Sequence, residues 1–391
     1  MLRVLVFALA VSALSALFHS MVYQWAMDAL PSVRPHKRKL IAFLAVLVVL
    51  APAARFVAHR FRGGWTSAPY AAAMIEVLVV MVAAPLLILT RFAGRLRERR
   101  AKASGAAEPE ALSRRQALER MGGAVALGAT GSAFGWGAVR GRHAFEMEEI
   151  APKIVGLPKV LDGYTIVQIS DIHVGAFVQE RELDEGLELV RRVKPDLIVV
   201  TGDMIDFDPA FLPIWARALQ SLTARDGIVT ILGNHDYYTG ATKIQEAVEG
   251  IGASVMVNRG TVIRAADGGG FALLGVDDAW GGSAGGPGPS LATALRMVPR
   301  DLPRILLSHQ PKTVELWAGQ VALQLSGHTH GGQVNAPGGG LRPADAVFRY
   351  VSGRYDVDGT TLWVNRGFGV AGPPTRVGAP PEVTKIVLVS G

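Results

Sequence analysis

The chain of 391 residues contains no cysteine. Disulfides are therefore excluded, and so is any metal site built on thiolate. Its C-terminal part also lacks an excess of positive charge. Residues 1–150 hold 19 Lys and Arg against 9 Asp and Glu, whereas the remainder holds 21 against 24. The net charge of +7 thus comes from the N-terminal part, which speaks against nucleic acid as a partner. Basic residues beside apolar segments set membrane topology instead. Stray histidines are also missing from the C-terminal part. All five beyond residue 143 sit in short polar motifs: His173, His235, His309, His328 and His330.

Apolar sequence, by contrast, is plentiful, at 50% of the chain. Residues 4–25, 40–58 and 68–90 each approach the roughly 20 residues that a helix needs to cross a bilayer. Glu76, inside the third stretch, is the kind of lone acid that faces neighbouring helices. A fourth, milder stretch at 121–139 is diluted by six glycines. Residues 113–118 read SRRQAL, with paired Arg114 and Arg115 before that Gly-rich segment. The pair resembles a twin-arginine export signal lying far inside the chain, and reads equally as further cytoplasmic charge. Nine basic residues between Arg91 and Arg120 place that loop in the cytoplasm. The expected organisation is a transmembrane region over 1–140, a linker over 141–159 and a catalytic domain over 160–391. That domain is expected on the outer face of a multi-pass cell-membrane protein.

From about residue 160, short β-rich runs alternate with helical patterns. TIVQIS, DLIVV, GIVTIL, FALLGV, RILLS and VALQL read as buried strands; LDEGLELVRRV, FLPIWARALQSL and ATKIQEAVEGI read as helices. The alternation predicts α/β layering, and open α/β sheets place ligands beyond the carboxyl ends of their strands. Those ends carry chemistry. TIVQIS runs into Asp171 and His173, DLIVV into Asp203 and Asp206, and GIVTIL into Asn234, His235 and Asp236. RILLS ends at His309, and VALQL runs into SGHTHGGQ with His328 and His330. Carboxylate, imidazole and amide oxygen without thiolate suit hard or borderline divalent ions. There are too many donors for one four-coordinate ion, and two ions sharing Asp203 is the economical arrangement.

The order DxH, GDxxD, GNHD, SH and GHTH, from Asp171 to His330, resembles the calcineurin-like metallophosphoesterases. The tail VNRGFGVAGPPTRVGAPPEVTKIVL resembles their bacterial membrane-associated or exported branch. The resemblance implies a four-layer sandwich of two mixed β-sheets flanked by helices. It implies two divalent ions (Mn, Fe or Zn), one held by Asp171, His173, Asp203 and His330. The other would be held by Asp203, Asn234, His309 and His328. It makes His235 the proton donor to the leaving group and Asp206 the residue orienting it. The expected substrate is a phosphoester or pyrophosphate, with lipid-linked or cell-envelope compounds suggested by membrane-associated members. Membrane lipid is the other expected partner. A membrane sensor or scaffold that binds metal without turnover is the alternative. Asp277 and Asp278 read as either a turn or support for the site. Arg366 and Arg376 read as either phosphate contacts or buried ion pairs.

Overall fold

A computed structural model describes residues 2–61, 64–103, 108–265, 269–336 and 340–391. Within these, the side chains of residues 2–8, 59, 64–65, 97–98, 101–102 and 108–116 fall outside the description. The chain divides into two compact units, Met1–Ala138 with Gly372–Pro374, and Val139–Ala371 with Thr375–Gly391.

The first unit is helical: α1 (Leu2–Ala29), α2 (Lys37–Phe61), α3 (Gly64–Ala103) and α4 (Glu108–Val139). Among the described residues, two stretches are long and apolar enough to cross a membrane, Pro31–Ala58 and Thr66–Leu96. Glu76 faces a neighbouring helix, and its Oε1 lies 2.9 Å from His19 Nε2. In α4, Gly122 and Gly123 serve close packing. A Cβ on Gly123 would fall among the ring atoms of Trp25, and one on Gly122 would lie 2.7 Å from Thr90 Cγ2. Small residues at such crossings let helix backbones approach. The motif at 113–118 lies within α4, and the side chains of Arg114 and Arg115 lie outside the described residues.

The second unit holds two six-stranded sheets. In the first the spatial order is β1 (Glu146–Ile150), β13 (Glu382–Val387), β3 (Thr165–Ile169), β4 (Leu197–Thr201), β5 (Ile228–Ile231) and β6 (Ser254–Val255). In the second it is β11 (Gly353–Val357), β12 (Thr360–Val364), β10 (Leu323–Ser326), β9 (Arg304–Leu307), β8 (Gly270–Gly275) and β7 (Arg259–Arg264). A separate pair joins β2 (Lys153–Ile154) to β14 (Val389–Ser390). Both large sheets are mixed. β3, β4, β5 and β6 run parallel while β13 is antiparallel to β3, and β11 and β7 are antiparallel to their neighbours.

The strands read as continuous apolar runs because both of their faces are covered. Ile166, Leu197, Val199 and Ile231 pack between the sheets against Phe271, Leu273, Ile305 and Leu325. The alternate residues Val167, Ile198 and Val200 face helices α5 (Glu180–Val193), α6 (Leu212–Gln220) and α8 (Ala241–Glu249), the last preceded by the short α7 (Asn234–Thr239). On α5 the buried positions Leu183, Leu187 and Val190 follow helical spacing, and Glu182 completes a capping box with Gln179. The outer face of the second sheet is covered by Leu291 and Ala294 over Ala272, Leu274 and Leu306. Four layers result, as the resemblance implied. Part of the 141–159 stretch is sheet, because β1 pairs in parallel with β13 from Glu146↔Glu382 to Ile150↔Ile386.

Candidate metal centre

Five strand ends deliver the motifs to one place. Parallel β3, β4 and β5 present Asp171 and His173, then Asp203, then Asn234; parallel β9 and β10 present His309, then His328 and His330. The two sheets are tied together at this end. Gln168 Nε2 donates to the Ser326 carbonyl at 3.0 Å, and the His328 amide donates to Asp171 Oδ2 at 2.9 Å. Gly327 lies where a Cβ would overlap Ser170 and the Asp171 carboxylate, so only glycine permits this approach.

The donor atoms form interlocking groups: Asp171, His173 and His330; His173, Asp203 and His235; Asp203, His309 and His328. His173 Nε2 is 3.0 Å from His330 Nε2, and His330 Nε2 is 3.4 Å from Asp171 Oδ1. On the other side His309 Nε2 is 3.3 Å from His328 Nδ1. Ligand atoms bound at about 2.1 Å and right-angled to tetrahedral spacing lie about 3.0–3.4 Å apart. The donors are therefore spaced as a shared ion requires. Asp203 Oδ2 stands between the groups, 3.3 Å from His309 Nε2 and 3.6 Å from His173 Nε2. Its other oxygen is occupied, accepting the His235 amide at 2.8 Å. Asn234 Oδ1 is buried without a hydrogen-bond partner, an arrangement that a cation would relieve.

For His173 and His328 the protonation state agrees with ligation. At His309 burial disfavours charge, but Asp203 outweighs it and raises the pKa well above the ordinary imidazole value. Burial pushes the imidazole pKa of His173 down to about 3 and of His328 to about 4, which leaves neutral rings with lone pairs. Burial opposes charge on Asp203, yet His309 and His173 hold its carboxyl well below the usual range. His309 donates Nδ1–H to the Thr201 carbonyl at 2.7 Å, which turns Nε2 towards Asp203.

His235 stands at the edge of this cluster, its ring 4.5 Å from that of His173. Nδ1 lies 2.9 Å from the Asp206 carbonyl oxygen and 3.3 Å from its Oδ1. Asp206 therefore meets this ring through its main chain as well as its carboxylate. Burial disfavours the imidazolium, but Asp206 and the charge of Asp203 outweigh it and lift the His235 pKa to about 9. By spacing alone His235 is also eligible as a ligand, since it belongs to one of the three groups.

Asp236 has a part that its motif alone did not reveal. Its carboxylate accepts the amides of Asp203, Met204 and Gly233 at 2.8–2.9 Å, fastening the β4 loop to the β5 loop. The signal was its place in GNHD beside two candidate site residues. Asp277 accepts Tyr237 Oη–H at 2.5 Å and the Gly288 amide at 2.9 Å. Asp278 accepts the Trp280 amide and Gln310 Nε2, next to His309. These bonds tie both acids into the loop that follows β8.

Both arginines of the tail are engaged within the chain. Arg376 is 1% exposed and donates to the carbonyls of Gly367, Gly369, Ala379 and His330. Arg366 pairs with Glu382, Glu146 and Glu148 at 2.8–3.1 Å.

A family model, calcineurin-like phosphoesterase, matches residues 164–332. The metallophosphoesterase YkuE of Bacillus subtilis is 34% identical over 295 residues, which span 71% of this chain and 98% of that protein. Phosphodiesterase YaeI of Escherichia coli is 30% identical, over 71% of this chain and all of that one. A bovine protein named transmembrane protein with metallophosphoesterase domain is 32% identical, over 59% of this chain and 54% of its own length.

Proposed function

The chain belongs to the calcineurin-like phosphoesterase family and is a metal-dependent phosphoric ester hydrolase, and on that premise we propose that it is a membrane-anchored phosphodiesterase. The observation that carries the reading is the position of Asp203 Oδ2 between two sets of imidazoles. We assign Asp171, His173, Asp203 and His330 to one ion, and Asp203, Asn234, His309 and His328 to the other. Two divalent ions, when bound, supply Lewis acidity to the phosphoryl group and acidify the attacking water. The chain holds the reacting groups in register and supplies a proton. With Nδ1 tied to Asp206, Nε2 of His235 is the atom that passes a proton to the leaving oxygen. The choice of a diester over a monoester is supported by the name of one relative, a phosphodiesterase.

Full-length protein with added Mn²⁺ is expected to hydrolyse bis(4-nitrophenyl) phosphate, to lose that activity on chelation and to regain it when Mn²⁺ is returned. Full metal occupancy without turnover of any phosphoester would leave a metal-binding scaffold instead.

Two helices long and apolar enough to cross a membrane, with the positive charge beside them, support a multi-pass anchor. We place the catalytic unit on the outer face, where lipid-linked or cell-envelope esters are the substrates within reach. A reporter fused after residue 140 is expected outside, and one fused near residue 105 inside. Replacing Arg114 and Arg115 by lysine is expected to stop export only if the twin-arginine route is used. A catalytic unit accessible to protease only from the cytoplasm would overturn this orientation.

A further inference from the structure

Three exposed aromatic rings stand together where the proposed proton donor meets solvent. Phe207, Tyr238 and Trp280 are 45%, 45% and 47% exposed. The His235 ring lies between them and the metal ligands. On one side it meets His173 at 4.5 Å; on the other it meets Phe207 at 4.6 Å and Tyr238 at 5.3 Å. Phe207 and Tyr238 are almost parallel, at 13° and 6.0 Å between centroids, and Trp280 meets Tyr238 edge-on at 5.8 Å. A leaving group that takes its proton from His235 departs on the side of these rings.

The segments that carry Tyr238 and Trp280 are fastened to buried acids. Tyr237, beside Tyr238, is bonded to Asp277, and the Trp280 amide is bonded to Asp278. Half-exposed aromatic side chains on a buried polar frame cost apolar hydration unless something covers them. Quadrupoles favour another ring over an aliphatic chain of equal area, through stacked and edge-to-face contacts. We infer that Phe207, Tyr238 and Trp280 form the leaving-group subsite and select phosphodiesters whose leaving alcohol carries an aromatic ring. This inference rests on the hydrolase reading above. It names the substrate class of the same site: an ester of a ring-bearing alcohol, whether carbocyclic or a nucleoside.

The test is a competition in one tube. Full-length protein with Mn²⁺ receives equal amounts of methyl 2-naphthylethyl phosphate, methyl n-octyl phosphate and thymidine 5′-methyl phosphate. The released alcohols are counted. Both naphthylethyl and octyl groups leave as primary alkoxides and bring large apolar surfaces, so their ratio isolates the preference for a ring. Release of naphthylethanol or thymidine is expected to exceed that of octanol by about tenfold, and whichever dominates names the source of the ring. Phe207→Leu and Tyr238→Leu, which keep apolar bulk but remove the π face, are each expected to shrink that ratio by about two- to tenfold. The ratio does not depend on what fraction of a variant folds. A wild-type ratio near one, or a ratio that neither variant moves, overturns the subsite. If no ester is cleaved although 4-nitrophenyl esters are, the subsite assignment fails and the hydrolase stands. If neither kind is cleaved, the hydrolase reading fails and takes the subsite with it.

Discussion

Asp203→Asn is expected to lower turnover more than any other single change among the candidate ligands, by about 10³-fold or more, equivalent to about 4 kcal/mol. The two oxygens of this carboxylate have different tasks. Oδ2 faces His309 and His173, while Oδ1 accepts the His235 amide. An amide fails in either orientation. With its oxygen towards the ions, it loses the negative charge and sets an NH₂ group against the His235 N–H. Turned the other way, it presents donors to the ions. His330→Ala removes a donor from one group only, so it serves as the comparison. Metal content and kcat/KM should be measured on the same preparations. An Asp203→Asn protein that keeps two metals and near-normal turnover would show that the carboxylate is not shared.

His235→Asn should slow hydrolysis of alkyl esters by about 10²–10⁴-fold, the usual reach of general acid catalysis, while both metals stay bound. A nitrophenolate leaves without help, whereas an alkoxide needs a proton, so the loss for a nitrophenyl ester should be far smaller. Asp206→Asn should give a weaker version of the same pattern. It keeps the main-chain carbonyl that lies 2.9 Å from His235 Nδ1 and removes only the charge at 3.3 Å. Loss of metal from His235→Asn would move this residue into the ligand set, which its spacing from His173 and Asp203 also permits. Equal losses on both kinds of ester, with metals intact, would mean that His235 steadies the phosphoryl group instead.

The six central runs, from TIVQIS to VALQL, could be read as strands because residues buried on both faces leave an uninterrupted apolar signal. The helices announced themselves by spacing, as Leu183, Leu187 and Val190 do on α5. β13 was not legible in this way. Its Glu382 and Thr384 are fully buried, where they meet Trp363, Asn365 and Arg366. A buried polar strand looks like a loop until its partners are known. The candidate ligands were visible because each follows a strand end in a recurrent order. Their backbone was not. Asp171, His173, Asp203, His328 and His330 all have φ between 50° and 72°, a left-handed conformation that costs an ordinary residue roughly 1–2 kcal/mol. Nothing in a residue's identity demands this, although Asp and His tolerate it better than most. Such strain gathers at functional sites when the surroundings over-determine it. The aromatic shelf escaped for a related reason. Phe207 and Trp280 come from separate loops and Tyr238 from the short helix Asn234–Thr239, and single exposed rings in a sequence look unremarkable.

The place of β13 bears on how the domain is made. Its residues, 382–387, are the bridge between β1 and β3, and among the described residues β1 has no other neighbour in the sheet. While a ribosome is still short of that point, β3 presents an unpaired edge and β1 is an unattached strand. Such edges recruit other chains, and pairings between distant segments form slowly because loop closure must precede any gain. The catalytic unit therefore reaches its closed form only after nearly all of it has been synthesised. Until then its open edge needs protection from a chaperone or from speed.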